Sequence, residues 1–295
     1  MPELARNQFQ SSEYAEEYQP SLESQASLDG LTAYINAGGR GTRLNPIFAP
    51  DPKIGVTKAL LEIGNPPLRL VDHHVNKLDS AGVPRIIVGA GDHVSVKQHV
   101  DEAYENNPRV FAVSTVDQLG NGGDLVRAVR DYPRLFEGQV LITNVDTLLD
   151  LDEAAMFEQH RITDADLTIA LTRNRGVPNE GAYVVGPDSN VVYCGEAADR
   201  NGLTEEDAIK RSAYRGSSTG ALVIKSELLK NVNWSPEDGP LSLYKDIVGV
   251  ALGKGAVYAY DNGRRLFTDV GTVQTWTDAN EQIEVLQRHL YYPSN

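Results

Sequence analysis

Leu31-Thr-Ala-Tyr-Ile-Asn-Ala-Gly-Gly-Arg-Gly-Thr-Arg-Leu44 begins as an apolar run and ends in a loop rich in glycine. A buried strand that runs into such a loop presents few β-carbons to hold a ligand away from its backbone. Gly38, Gly39 and Gly41 can adopt positive φ, so successive N–H groups can turn inward as an anion-binding nest. Arg43 adds a planar fork of donors matched to phosphate oxygens. Chemically the stretch is a triphosphate cradle. It is not a Walker loop, because no Gly-Lys-Ser/Thr follows. It is not G-x-G-x-x-G either, because Leu44 stands where the third glycine belongs.

Around this loop, short apolar runs alternate with amphipathic stretches. Strands are expected over residues 31–36, 84–89, 109–114 and 139–143, with helices over 67–81, 94–104 and 122–131. That rhythm predicts an α/β fold with a Rossmann-like, doubly wound, mostly parallel sheet. Ligands gather at the carboxyl ends of strands in such sheets, where the glycine loop and Asn144-Val-Asp146 both fall. After residue 150 the spacing tightens. Strands over 166–171, 181–186, 190–195, 218–224 and 256–260 and helices over 226–231 and 241–252 read as an inserted acceptor-binding β region. A final helix is expected over 272–289. Residues 1–29 are polar, without useful periodicity, and read as a flexible leader. Residues 30–295 then form a single domain, with a nucleotide-binding half at 30–150 and an acceptor-binding half at 151–295.

With 295 residues, 41% hydrophobic and 23% charged, the chain has the composition of an ordinary globular protein. Its net charge of −14 argues against a nucleic-acid backbone or an anionic membrane as partner. A nucleotide substrate would need local positive groups, for which Arg43, Lys58, Arg173 and Arg175 are available, and a divalent metal. The one cysteine, Cys194, excludes an internal disulfide and suits a cytoplasmic location; within a strand-like run it reads as an inert thiol. No apolar run approaches the roughly 20 residues that span a bilayer, and no signal peptide is expected at the N-terminus. His73, His74, His93 and His99 lie in or near amphipathic helices at no metal-binding spacing.

Gly-Gly-x-Gly-Thr-Arg-Leu, followed at short distance by Lys58 in Thr57-Lys-Ala-Leu-Leu61, resembles the signature of the sugar-1-phosphate nucleotidylyltransferases. The likeness spans residues 31–290. It implies that Ala37, Gly38, Gly39, Gly41 and Thr42 bind the nucleotide, and that Arg43 and Lys58 neutralise its phosphates. Leu119-Gly-Asn-Gly-Gly-Asp-Leu125 resembles the family's base-binding loop, which implies roles for Gln118, Gly120 and Gly123. Asp146 and Asp269, each a plausible turn or cap residue alone, match the family's metal positions and imply Mg²⁺.

On the acceptor side the match loosens. Glu180-Gly181 stands where the resemblance implies Tyr-Gly, and Ser218-Thr219-Gly220 where relatives carry Asn-Ala-Gly. Glu196 matches a sugar-binding glutamate, but Glu196-Ala-Ala198 replaces Glu-Lys-Pro, so a second lysine is missing. Lys210, Arg211 or Arg215 could substitute. The hexapeptide pattern of a left-handed β-helix is absent. The resemblance implies transfer from a nucleoside triphosphate, GTP ahead of ATP, to a sugar or cyclitol 1-phosphate, by a chain that could assemble as a dimer or tetramer. Two other readings stay open: a non-catalytic nucleotide-sugar-binding paralogue, and a glycosyltransferase holding metal through Leu149-Asp-Leu-Asp152.

Overall fold

The apolar runs pair into one nine-stranded sheet because most are too hydrophobic on both faces to sit at a surface. The computed structural model describes residues 27–39, 41, 44, 57–115, 119–173, 182–200, 204–254 and 256–281. The strands of the large sheet are β1 (Leu31–Asn36), β4 (Arg85–Gly89), β5 (Val110–Val113), β6 (Gln139–Asn144), β8 (Leu167–Thr172), β9 (Ala182–Val185), β10 (Val191–Cys194), β11 (Tyr214–Lys225) and β12 (Val257–Asp261). Two small ribbons pair β2 (Glu62–Ile63) with β3 (Leu68–Arg69), and β7 (Thr147–Leu149) with β13 (Phe267–Asp269).

In space the order is β10-β9-β11-β6-β1-β4-β5, with β8 bonded to β11 and β12. The four strands β5, β4, β1 and β6 are parallel. The chain winds outward from β1 to β5 and then returns to place β6 on the other side of β1. That reversal makes the carboxyl edge of β1 a topological switch point, where a ligand crevice opens. Helices α1 (Leu70–Ser80), α2 (Val94–Ala103) and α3 (Gly120–Asp131) make the connections. Strand alternation sends Leu31, Ala33 and Ile35 to one apolar cluster with Val71 and Val75 of α1. It sends Tyr34, Val140 and Ile142 to the opposite cluster with Leu125 and Val129 of α3. Each buried aliphatic side chain contributes about 1.5–3 kcal/mol of transfer free energy. The expected doubly wound α/β architecture is the one formed, and the described residues contain no left-handed β-helix.

Residues beyond 150 extend this sheet: β11 is antiparallel to β6 and β8, and β12 is parallel to β8. Three features differ from the sequence expectation. The strand expected over 218–224 starts at Tyr214, because its first four residues pair with β9 while its last four pair with β6. The change of partner falls at a register shift between Ser218 and Leu222, where Gly220 takes φ 82°. The helix expected over 241–252 opens as a π-turn, Leu243–Val248, before α7 (Gly249–Leu252). Its entry is shaped by tertiary bonds, from Leu241 N to Leu119 O (2.9 Å) and from Leu243 N to Asn121 Oδ1 (2.9 Å). The β7–β13 ribbon has no local signal, since its strands are three residues long and far apart in the chain. The last helix, α8, is described over Val273–Glu281. No helix among the described residues is long and apolar enough to cross a membrane.

Gly89 shows how tightly the switch point is packed: a β-carbon there would lie 1.9 Å from the Tyr34 hydroxyl. Gly89→Ala is expected to destabilise the fold by about 1–3 kcal/mol in urea unfolding. Gly253→Ala, whose β-carbon meets nothing nearer than 3.5 Å, is expected to stay within about 0.5 kcal/mol of the parent. Equal midpoints for the two variants would contradict the packing described.

Candidate functional site

β1 and β6 are in register through their last residues, Asn36 opposite Asn144. Asn36 is also level with Gly89 at the end of β4. The three turns that leave these strands therefore start side by side. Ala37 N donates to Gly89 O (2.9 Å), and Val145 N donates to Asn36 O (3.2 Å). Beyond Ala37, the chain passes within backbone contact of the next turn. A β-carbon on Gly38 would meet Gly91 Cα at 3.0 Å, and Gly91 itself has φ 56°. Gly39 has nothing within 4 Å of its β-carbon position, so the loop is open there.

Lys58 enters from a short 3₁₀ turn, Lys58–Leu60, and is buried to 8% exposure. Its stem runs beneath Gly41, where an added β-carbon would fall 2.6 Å from Lys58 Cγ. Its Nζ donates to Asp146 Oδ2 at 2.7 Å. The glycine loop, the lysine and the carboxylate singled out in the sequence are thus one cluster. Asp269 joins it through the β7–β13 ribbon: Asp269 pairs with Thr147, and Val270 N donates to Asp146 O (2.7 Å). Asp269 Oδ1 accepts from Gly271 N (2.5 Å), whereas Asp146 Oδ1 accepts no hydrogen bond from a described residue. Two hard carboxylates, one in the turn after β6 and one at the end of β13, fit a magnesium ion, which takes its remaining positions from water and phosphate. Among the described residues no third carboxylate, histidine or cysteine completes a metal-binding group with them.

Behind Asp146 stands a residue that its sequence context does not reveal. His74 of α1 is buried, with its ring in hydrogen-bonding reach of the Val145 carbonyl. Burial, then the charge of Lys77, pushes its pKa down to about 3, so the ring is a neutral buttress of the aspartate turn. The neighbouring His73 is also buried, and His99 pairs with Asp72 at 2.8 Å, as befits histidines of amphipathic helices.

The second glycine cluster answers first to protein contacts. β-carbons on Gly120 and Gly122 would meet Leu241 O at 2.7 and 3.0 Å, and one on Gly123 would meet Trp234 at 3.0 Å. These glycines let the segment before the π-turn seat against the loop, and Gly122 N donates to Leu241 O (3.0 Å). Tyr244 in that π-turn lies in hydrogen-bonding reach of Asn144 and Ser218. Burial pushes its hydroxyl up to about 12, with Glu196 and Asp146 adding to the effect. Tyr244 therefore links the acceptor segments to the end of β6. Only an irregular turn at this point places it there, and sequence periodicity carries no such signal.

On the acceptor side, Glu196 is exposed. Thr219 is turned into the sheet, its hydroxyl donating to Ala170 O (3.0 Å) at 1% exposure. Its neighbour Ser218 is the hydroxyl that faces Tyr244. Two of the three cations expected to replace the missing lysine are engaged, Arg215 with Glu205 and Lys210 with Glu206 and Asp207, as is Arg173, with Asp261 and over the Tyr214 ring; Arg211 has no ion pair with a described residue. Asp152 caps α4 (Glu153–Ile162) by accepting from Ala155 N (2.9 Å), so helix capping accounts for Asp152. Cys194 is buried, and burial raises its pKa, which leaves an unreactive thiol. Thr42, Arg43, Gln118, Arg175, Glu180 and Gly181 lie outside the described residues.

A family model for nucleotidyl transferases matches residues 32–285. The chain belongs to that family. Among curated family members it is 30% identical over 186 residues to a D-glycero-alpha-D-manno-heptose 1-phosphate guanylyltransferase of Aneurinibacillus thermoaerophilus, covering 62% of this chain and 74% of that one. It is 29% identical over 161 residues to a mannose-1-phosphate guanyltransferase of Schizosaccharomyces pombe (54% and 42%). It is 29% identical over 174 residues to the bifunctional protein GlmU of Geobacter sulfurreducens (58% and 34%). The chain thus spans three quarters of the first and less than half of the other two.

One further acid at this edge lies within the Leu119–Leu125 stretch, at a position for which the resemblance implies no role. Asp124 of α3 is 7% exposed, and its Oδ1 accepts from Thr115 Oγ1 at 2.7 Å. Burial raises its pKa from 3.8 to about 6, against the lowering effect of the Thr115 hydroxyl, and Asp92 adds to the rise. A buried acid with a raised pKa costs stability once it ionises: its folded-state pKa exceeds the unfolded one, so stability falls as pH climbs between them. Asp124→Asn, which keeps an acceptor for Thr115, is expected to stabilise the fold on the order of 2–3 kcal/mol near pH 8. The gain should vanish near pH 4. Chemical denaturation across that range measures it, and a pH-independent difference would contradict the assignment.

Proposed function

We propose that the chain transfers a nucleotidyl group from a nucleoside triphosphate, GTP ahead of ATP, to the 1-phosphate of a sugar or cyclitol, releasing pyrophosphate. The observation that carries this reading is the Lys58–Asp146 pair at 2.7 Å, packed under Gly41 where β1 and β6 end. It sets a cation and a metal-binding carboxylate beside an open glycine loop. The guanylyltransferase names of two relatives support the choice of GTP.

In the proposed reaction an oxygen of the acceptor phosphate attacks the α-phosphorus in line. The new O–P bond forms as the bond to the β-phosphate oxygen breaks, and the electron pair leaves with pyrophosphate. No covalent enzyme intermediate is needed, so catalysis is positioning and charge neutralisation. The N–H groups of residues 38–42, with Arg43, hold the β- and γ-phosphates. Lys58 neutralises charge that develops at the α-phosphate. Asp146 and Asp269 hold Mg²⁺, which when bound offsets phosphate charge and orients donor and acceptor. Glu196, Glu180 and Gly181 are assigned to the acceptor, with Ser218 and Tyr244 lining its inner wall. A cytoplasmic location belongs to the same proposal.

A second reading is a nucleotide-sugar-binding paralogue with little turnover. It is favoured by the acceptor-side cations, since Lys210 and Arg215, two of the three candidates for the missing lysine, are spent on acidic partners. Pyrophosphate release with Mg²⁺, tested with four nucleoside triphosphates against hexose and cyclitol 1-phosphates, separates the two. Release with one pair is the expected result. Lys58→Met and Asp146→Asn should each lower turnover about 10²- to 10³-fold. No release from any pair, with nucleotide binding retained, would favour the paralogue.

A further inference from the structure

Asp124 is 7% exposed, and only one of its two carboxylate oxygens is bonded by a described residue. Its Oδ1 takes the Thr115 hydroxyl, whereas Oδ2 accepts no hydrogen bond from a described residue. Oδ2 points at the glycine loop: it lies 3.1 Å from the β-carbon position of Gly38. The residue sits one turn into α3, the helix that opens at Gly120. It therefore lies between the loop after β1 and the loop that leads into α3, the two segments assigned to the nucleotide. A core position has no use for such a group, since an apolar residue of similar size would cost nothing to bury. The Thr115 hydroxyl supports the ionised carboxylate through Oδ1, and a ligand that brings donors to Oδ2 would stabilise it further.

Building on the nucleotidyl-transfer reading, we propose that Asp124 is a specificity-determining residue that selects guanine by accepting from its N1–H and N2–H groups. The chemistry of the bases makes the choice. Guanine presents two adjacent donors on one edge, the complement of a carboxylate. Adenine sets an acceptor nitrogen beside its donor, and uracil or thymine flanks a single N–H with two carbonyl oxygens that repel an anion. With its pKa near 6, Asp124 is ionised at neutral pH and fit to accept.

Equilibrium titration with GTP, ITP and ATP tests this without depending on turnover. ITP keeps guanine's N1–H and lacks the N2 amino group, so it removes one of the two proposed bonds. The wild-type chain should bind GTP on the order of ten- to a hundredfold more tightly than ITP, and ATP more weakly still. Asp124→Asn should bring the GTP-to-ITP ratio close to one while circular dichroism stays unchanged. Equal wild-type affinities for GTP and ITP would overturn the proposal with no variant needed. So would a GTP-to-ITP ratio that Asp124→Asn leaves intact. Pyrophosphate release measured on the same samples reports the reaction separately. Base selection without release upholds the role of Asp124 and rejects catalysis. Release with no guanine preference does the reverse.

Discussion

The register between β1 and β6 is the constraint on which the rest of the structure depends. Parallel pairing through Asn36 and Asn144 ends both strands at one level. The glycine loop and the Asp146 turn therefore begin as neighbours. A slip of one residue would send every side chain of β1 to the opposite face, taking Ile35 from one cluster and Tyr34 from the other. With both faces buried, such a slip would put the whole core at odds with its partners. The hydrophobic pattern thus fixes the position of the chemistry.

Polar groups at this edge are held by what lies behind them. Lys58 is placed by the Gly41 turn above its stem, Asp146 by the His74 ring and by Val270 N. Gly38 and Gly91 touch through their backbones, which neither turn could do with a side chain. Side chains supported in this way lose little freedom when a ligand arrives, which suits a reaction driven by positioning. The π-turn at Leu243–Val248 continues the same logic into the acceptor half. It is tied by backbone bonds to the loop at Leu119–Gly122 and carries Tyr244 to the end of β6. The nucleotide and acceptor sides are therefore stitched together through one segment.

Where sequence reasoning reached the site, it did so through residues whose meaning is local. A glycine cluster after an apolar run specifies a turn open to ligand, and Asp146 is marked by ending such a run. Asp269 was legible only through the family likeness, since the ribbon that delivers it pairs two three-residue strands far apart in the chain. Ser218 and Thr219 illustrate the limit. Adjacent residues on a strand point to opposite faces, and which faces the site depends on a register shift near Gly220. Arg215, one of the cations expected to serve the acceptor phosphate, was visible as a charge, but its partner Glu205 comes from another element.

By itself the sequence determined the parallel α/β core and the switch-point glycine loop, whereas the pairing of Lys58 with Asp146 came from the fold. Strand periodicity and glycine chemistry act over a few residues, so they can be read along the chain. Only the tertiary structure decided that Gly120, Gly122 and Gly123 pack against the 234–243 segment, that Arg173 is engaged by Asp261, and that Asp124 lies under Gly38. Each of these is a contact between elements distant in sequence, and its partners are set by how helices and turns seat on the finished sheet.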